Sequence, residues 1–208
     1  MPFHPFSPDT PGWHTEKDEP LFANDYLAVH RVTVTTPSRP RPFTWTVCHR
    51  KAAVVIAART AGGAFLMIRQ ERVPIRATIW EFPAGQIDEA TDHDEAAIQA
   101  TGLRELREES GWMLSPEGTV RSLGHFFPSS GFTDEHSHLL LADPVVPHPE
   151  GHQHDESEAI SECVAIAPGE LTRMIATGEI RDANTLATYA RLVSMGIIIP
   201  GVAQASSL

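Results

Sequence analysis

Residues 85–112 read GQIDEATDHDEAAIQATGLRELREESGW, and the RELREE segment at 104–109 decides how the chain is interpreted. Glu105, Glu108 and Glu109 are spaced i, i+3 and i+4, so on a helix they share one face. Carboxylates held so close repel one another, and they become favourable together when a divalent cation lies between them. Ligation by carboxylate oxygens suits Mg²⁺ or Mn²⁺, which also bind phosphate oxygens. Alone, the segment also fits a solvated helix face with ordinary ion pairs.

Composition limits the possible functions. The 208 residues are 41% hydrophobic, enough to bury a core for one domain with an accessory segment. Sixteen basic against 27 acidic residues give a formal charge of −11, which argues against binding to a nucleic-acid backbone. A small anionic substrate stays possible because a bound metal ion can invert the local field.

The cysteines and apolar segments indicate the compartment. Cys48 and Cys163 lie far apart without metal-site spacing, so both are expected to be buried thiols. No apolar run approaches the roughly 20 residues of a membrane helix, and the N-terminus lacks a signal-peptide pattern. We therefore expect a cytoplasmic enzyme that has no membrane partner.

The chain is expected to have three parts. Residues 1–20, which carry five prolines, are predicted to form an extended or poorly ordered arm. Residues 21–48 read as a small β segment, broken at 38–42, which must pack on the rest of the chain or on a second subunit. Residues 49–208 form the main domain.

Within the main domain, strand-like and helix-like segments mix irregularly, which predicts α/β or α+β layers. A nearly continuous apolar run at 51–58 predicts a strand covered on both faces. The glutamate-bearing helix is expected to begin at Asp92, with Glu95 completing a capping box, and to end at Gly111. The other predicted strands are 64–70, 119–127, 136–142 and 160–166, and the other helices begin at Pro168 and Asp182.

The second half of the opening stretch resembles the Nudix box, G-x5-E-x7-R-E-U-x-E-E-x-G-U, where U is a bulky aliphatic residue. Residues 104–112 fill this half, with Trp112 in the last U position, and EFPAG at 81–85 precedes the box. The similarity extends over about residues 50–195. It implies the Nudix α/β/α sandwich fold with a mixed sheet, here with the small N-terminal β segment added.

The first half of the box departs from the family pattern. The family places a glutamate where this chain has Thr91, and the interval from Gly85 to Arg104 is five residues longer than usual. Five residues turn a helix by about 500°, a net rotation near 140°. The extra length is therefore expected in the loop or first turn near 89–98, which leaves the mutual spacing of the three glutamates unchanged.

The resemblance implies roles for the residues of the box. In the family, divalent ions on this helix bind the pyrophosphate of a substituted nucleoside diphosphate, and water attacks one phosphorus. Carried over to this chain, Glu105 and Glu109 are principal metal ligands, and Glu108 ligates or positions another ion. The backbone carbonyl of Ala84 is a further ligand, and Arg104 orients the glutamates.

Three further segments resemble the ADP-ribose pyrophosphatase subgroup. FPSSGFTDE at 127–135 is similar to its P-S-P-G-x-x-x-E segment, which ends here at Glu135. The resemblance implies that Arg72 contacts the phosphates and Glu81 the terminal ribose, as suits a guanidinium and a carboxylate. An acidic loop supplies the catalytic base in this subgroup, and Glu156 is the first choice here and Glu158 the second.

Relatives in the subgroup form homodimers in which the N-terminal strands help to bind adenine. Trp45 is a candidate stacking surface for adenine, and a core position is the alternative. The five histidines between 136 and 154 lack metal-site spacing and do not predict zinc.

Together these features predict Mg²⁺- or Mn²⁺-dependent hydrolysis of ADP-ribose to AMP and ribose 5-phosphate. Another nucleoside diphosphate sugar, or a dinucleotide, is an alternative substrate. A non-catalytic ADP-ribose sensor is an alternative of another class, but no basic recognition helix is visible and the glutamates are intact.

Overall fold

The computed structural model describes residues 9–87, 94–152 and 159–200. The chain divides into two compact units. The first contains the chain up to Ala53 together with Phe126–Ser137, and the second contains Val54–His125 and the chain from His138 onward.

The described residues form strands, three α-helices and two other short helices. The strands are β1 (His14–Ala23), β2 (Leu27–Thr36), β3 (Arg39–Arg50), β4 (Ala53–Thr60), β5 (Phe65–Arg72), β6 (Ala77–Glu81), β7 (Ala84–Gln86), β8 (Trp112–Phe126), β9 (Ser137–Pro147) and β10 (Ile160–Ile166). The α-helices are α1 (Glu95–Glu105), α2 (Pro168–Ala176) and α3 (Ala183–Ser194). A 3₁₀-helix spans Val73–Ile75 and a π-helix spans Leu106–Ser110.

The first unit contains a three-stranded antiparallel sheet in the order β1-β2-β3. It differs from the sequence prediction at two places, because β1 begins at His14 inside the predicted arm and β3 continues through the predicted break at 38–42. Proline interrupts the hydrogen-bonding ladder of a central strand but is tolerated at an edge. Since β1 and β3 are the outer strands of this sheet, Pro20, Pro40 and Pro42 do not end them.

The second unit is built on a larger sheet in the order β10-β5-β4-β9-β8, with β6 paired to β5 and β7 paired to β4. Val54 to Ala58 on β4 are fully buried, as the continuous apolar run predicted. The predicted strand at 160–166 is confirmed as β10. The short strands β6 and β7 are not among the strands predicted from the sequence.

Side chains define the beginnings of two helices. The side chain of Asp94 accepts a hydrogen bond from the Ala96 amide at 2.9 Å, so Asp94 is the N-cap of α1. The helix begins at Glu95, later than predicted, while Asp92 and Thr91 lie outside the described residues. Asp182 caps α3 by accepting a bond from the Thr185 amide at 2.7 Å.

Among the helices of the described ranges, none combines the length and the apolar character needed to cross a membrane.

Candidate active site

The helix carrying the glutamates changes type within the RELREE segment. It is α-helical to Glu105 and continues as one π-helical turn from Leu106 to Ser110. The hydroxyl of Ser110 donates to the carbonyl of Leu106, and Gly111 ends the turn with a φ of 72°, a conformation that favours glycine. The sequence predicted a regular helix over this segment. Single π turns inside helices are frequent at functional sites.

Glu105 is buried against the backbone of Gly85. A Cβ atom added to Gly85 would overlap the carboxylate of Glu105, so only glycine permits this approach. Arg104 donates to Glu105 Oε1 at 2.6 Å through Nη2 and to Glu108 Oε2 at 2.5 Å through Nη1. One guanidinium therefore holds two of the three glutamates.

Glu109 is the most deeply buried of the three glutamates, with 1% of its surface exposed. Its Oε2 accepts a hydrogen bond from the backbone amide of Ala84 at 2.8 Å. Ala84 belongs to the EFPAG segment, which lies 25 residues earlier in the chain. The structure thus brings this segment and the glutamate helix together.

The donor set fits a divalent cation. Glu105 and Glu109 are both buried, and burying ionised carboxylates is costly unless positive charge compensates them. Arg104 brings one positive charge to this group of three carboxylates. The side chains offer oxygen donors throughout, which is the preference of Mg²⁺ and Mn²⁺.

Arg72 and Glu81 form a two-point ion pair on neighbouring strands. Nε of Arg72 lies 2.8 Å from Oε1 of Glu81, and Nη2 lies 2.5 Å from Oε2. Burial raises the pKa of Glu81, while the hydrogen bond and charge of Arg72 oppose this rise. The hydrogen bond to Glu81 also raises the pKa of Arg72, to which the charges of Asp182 and Glu109 contribute. The pair therefore lies within the electrostatic field of the glutamate helix.

A chain of hydrogen bonds fixes the EFPAG segment to the beginning of α3. The amide of Phe82 donates to the hydroxyl of Thr185 at 3.1 Å, and this hydroxyl donates to Asp182 at 2.9 Å. Thr185 is fully buried. The sequence predicted a helix beginning at Asp182 but gave no sign of the bond between Thr185 and Phe82, because these residues lie 103 positions apart.

Two predicted substrate-binding residues, Trp45 and Glu135, belong to the first unit. Trp45 is 48% exposed, so the core alternative for this residue is wrong. Its indole nitrogen donates to the carbonyl of Gly131 at 3.2 Å. Glu135 pairs with Nη1 of Arg50 at 2.9 Å, and burial raises the pKa of Glu135. Contacts of either residue with substrate stay predictions.

The two candidates for the catalytic base, Glu156 and Glu158, lie outside the described residues. The segment just before them contacts the end of the glutamate helix. The amide of His148 donates to the carbonyl of Gly111 at 2.8 Å, and Arg107 pairs with Glu150 at 2.8 Å.

The model of the NUDIX domain matches residues 49–189, well over half of the chain. The chain belongs to the Nudix family. An ADP-ribose pyrophosphatase of Mycobacterium tuberculosis (strain ATCC 25618 / H37Rv) is 31% identical over 194 residues, covering 92% of this chain and 87% of that protein. An ADP-ribose pyrophosphatase of Bacillus subtilis (strain 168) is 28% identical over 167 residues, covering 80% of this chain and 85% of that protein.

A solved structure described as an ADP compounds hydrolase shares the fold of this Nudix protein. Its TM-score is 0.72 at 16% identity, over 92% of this chain and all of the other. The mixed sheet with helices confirms the expected α/β fold class. The chain is a Nudix pyrophosphohydrolase that resembles the ADP-ribose pyrophosphatase subgroup.

Proposed function

We propose that this Nudix pyrophosphohydrolase cleaves ADP-ribose to AMP and ribose 5-phosphate and that it requires Mg²⁺ or Mn²⁺. The observation that carries the proposal is the burial of Glu105 and Glu109 against Gly85 and Ala84. A divalent ion would relieve the repulsion between carboxylates that lie this close together. The names of the two curated relatives support the choice of substrate.

Glu105, Glu109, Glu108 and the carbonyl of Ala84 would hold the metal. Nudix enzymes generally use divalent ions, and such an ion, when bound, neutralises the charge that develops on phosphate oxygens. Arg104 keeps the carboxylates of Glu105 and Glu108 oriented through its two hydrogen bonds. The amide of Ala84 donates to Oε2 of Glu109 and so holds this carboxylate beside the EFPAG segment.

Arg72 and Glu81 would bind the two halves of the ribose 5-phosphate part of the substrate. Arg72 is 40% exposed at its side chain, so its guanidinium can reach phosphate oxygens while paired with Glu81. The side chain of Glu81 is 2% exposed, so its carboxylate would accept from a ribose hydroxyl once the ion pair shifts to admit the substrate. A base then takes the proton of the attacking water, the water oxygen bonds to one phosphorus, and the bridging P–O bond breaks. Glu156 is our first choice for that base and Glu158 the second.

The decisive experiment is incubation of the purified protein with ADP-ribose and Mg²⁺, followed by chromatographic separation of the products. AMP and ribose 5-phosphate in equal amounts, abolished by a chelator, would support the proposal. No AMP above the chelated control would refute it for this substrate. A parallel panel of nucleoside diphosphate sugars and dinucleotides tests the alternative substrates, and a faster turnover of any of them would reassign the preference.

The protein is further proposed to act as a homodimer in the cytoplasm on a small-molecule nucleotide. The first unit exposes large aromatic side chains, which favours association of chains through this unit. These residues are Trp13, Phe22, Tyr26 and Trp45. Light scattering after size-exclusion chromatography measures the mass, and a mass near the 22.8 kDa of one chain would contradict the dimer.

A further inference from the structure

Three neighbouring strands of the first unit place an aspartate and two histidines on one face of their sheet. Asp18 on β1 is opposite Val32, His30 lies two residues before Val32 on β2, and His49 on β3 is opposite Ala28. Residues that face each other across an antiparallel pair point to the same side, as do residues two apart along a strand. The side chains of Asp18, His30 and His49 therefore form a diagonal row across β1, β2 and β3.

The row is closely spaced. One potential metal-binding atom from each of the three side chains lies within 4.8 Å of the other two. Nδ1 of His30 is 2.6 Å from Oδ1 of Asp18, and the two imidazole rings are 4.8 Å apart between centroids. Tetrahedral Zn²⁺ with bonds of about 2.0–2.1 Å needs ligand atoms about 3.3 Å apart. Rotation of the exposed Asp18 side chain and of the partly exposed His30 side chain can close the remaining distance of about 1.5 Å.

Asp134 forms a hydrogen bond with His49 of this row. Its Oδ2 lies 2.6 Å from Nδ1 of His49, and its Oδ1 accepts from the amide of Arg50 at 3.2 Å. A carboxylate on one ring nitrogen fixes the orientation of the imidazole and leaves the other nitrogen, Nε2, to ligate a metal. His49 is nearly buried, whereas 49% of the side chain of Asp18 is exposed, so an ion can enter from the side of Asp18.

We propose that Asp18, His30 and His49 bind one Zn²⁺ ion at a site separate from the glutamate helix. Two imidazole nitrogens and one carboxylate oxygen form a donor set that suits zinc, whereas the all-oxygen glutamate set suits Mg²⁺ or Mn²⁺. The proposal does not depend on ADP-ribose being the substrate. The alternative is two aspartate–histidine hydrogen-bonded pairs that hold no ion.

A metal ion at this site would stabilise the three-stranded sheet. β1 is exposed along nearly its whole length, so this three-stranded sheet buries little apolar surface through that strand. Small sheets with a poor apolar core gain stability from a metal that joins their strands. An ion held by Asp18, His30 and His49 would join all three strands and lower the free energy of the folded unit.

Zinc binding to the full-length chain tests the proposal. The protein is dialysed against Zn²⁺ with Mg²⁺ in large excess, so that Mg²⁺ competes for the carboxylate site, and bound zinc is measured by elemental analysis. The same measurement on the double variant Glu105→Gln/Glu109→Gln identifies zinc held outside the glutamate helix. We expect one Zn²⁺ per chain in both proteins and a higher Tm with zinc than with Mg²⁺ alone.

Substitutions within the row decide whether that zinc lies there. Asp18→Asn and His30→Asn are each expected to weaken zinc binding at least about tenfold and to remove the zinc-dependent rise in Tm. His14→Asn and Asp25→Asn are matched controls for the same changes at exposed positions in this unit, and they should bind zinc as the unchanged chain does. His49→Asn should behave as His30→Asn does if it folds, but the decision rests on Asp18 and His30 because they are more exposed.

Two results would overturn the proposal. One is the absence of stoichiometric zinc from the Glu105→Gln/Glu109→Gln variant. The other is unchanged zinc affinity in both Asp18→Asn and His30→Asn, which would assign the bound zinc to other residues. Neither result bears on ADP-ribose hydrolysis, which is measured separately.

Discussion

The guanidinium of Arg72 and the carboxylate of Glu81 bind each other at two points, 2.8 Å and 2.5 Å, although the family resemblance predicts that they contact different parts of the substrate. Glu81 is only 2% exposed at its side chain, whereas Arg72 is 40% exposed. Arg72 thus neutralises a buried carboxylate and also presents the outer part of its guanidinium to the solvent. A substrate that contacts both residues must therefore bind to the intact ion pair or separate its two side chains.

Arg72→Ala should therefore destabilise the fold in a pH-dependent way. Removing the partner leaves Glu81 buried without its main counter-charge, at a cost of about 1–2 kcal/mol near neutral pH once the exposure of Arg72 is allowed for. Burial already raises the pKa of Glu81 above its ordinary value of 4.5, and loss of Arg72 raises it further. When the pKa of a carboxyl group is higher in the folded than in the unfolded state, the protein becomes less stable as pH rises through the folded-state pKa. The penalty should thus be larger at pH 8 than at pH 4.

Urea unfolding at a series of pH values measures this penalty. Arg69→Ala is a suitable control on the same strand, because Arg69 and its partner Glu162 are half-exposed and 3.7 Å apart. Its penalty should be below about 1 kcal/mol and nearly independent of pH. An equal penalty for Arg72→Ala at pH 4 and pH 8 would contradict the coupling to Glu81.

Gly85→Ala should damage the site while leaving the fold intact. Gly85 has an ordinary φ, so alanine fits its backbone, but the new methyl group would occupy the position of the Glu105 carboxylate. We expect turnover to fall at least about tenfold and the Mg²⁺ concentration for half-maximal activity to rise. Gly169→Ala is the matched control, since nothing lies within 4 Å of its added Cβ. Full activity in Gly85→Ala would show that Glu105 need not hold this position.

Glu109→Gln should abolish turnover with little loss of stability. Glutamine keeps an oxygen that can accept from the Ala84 amide, so the contact with the EFPAG segment can persist while the charge is lost. Removal of a buried negative charge from a repulsive group should cost little in the absence of metal. We expect a loss of about 10²-fold or more in kcat. Glu95→Gln, on the exposed first turn of α1, is the control, and a variant at position 109 that keeps most of its activity would disprove its role as a ligand.

Separate replacement of Glu156 and Glu158 by glutamine identifies the base. The variant that lacks the true base should turn over about 10²–10⁴-fold more slowly, and its pH–rate profile should lose the acid limb. The other variant should keep both its rate and the acid limb. If neither variant is slower than the unchanged chain, the acidic loop does not supply the base.

Local patterns account for the parts of the fold that the sequence predicted well. The buried run of β4 and the strand Ile160–Ile166 follow from apolar residues that are adjacent in sequence. The spacing of Glu105, Glu108 and Glu109 identified the candidate site for the same reason. The π turn at Leu106–Ser110 escaped prediction because its hydrogen bonds, unlike the residue spacing, have no sequence signal of their own.

Features that depend on strand register could not be predicted. Ile68 is opposite Glu81 in the pairing of β5 with β6, so Arg72, four residues after Ile68, lies on the same face of the sheet as Glu81, and its long side chain reaches the carboxylate. His136, one of the five histidines that lie close together in the sequence, is buried with 2% of its surface exposed. His30 and His49, which are far apart in sequence, become neighbours through the antiparallel pairing of β2 and β3.

Cys163 offers a measurement of the environment beside the glutamate helix. Burial raises the pKa of this thiol to about 11, and the charge of Glu109 adds to the rise. Because the thiolate is the reactive form, its alkylation at pH 8 should be about 10²-fold slower in the folded protein than in urea. The rate should increase about tenfold per pH unit and continue to rise above pH 10.

The Cys48→Ser variant isolates this reaction, because Cys48 and Cys163 are the two cysteines of the chain. Burial also raises the pKa of Cys48, so the unchanged protein would report a mixture of two slow thiols. The Cys163→Ser variant gives the alkylation rate of Cys48 alone over the same pH range. A rate for Cys163 that levels off near pH 9 would mean that its pKa is close to the ordinary value of 9.0 and that neither burial nor the charge of Glu109 raises it.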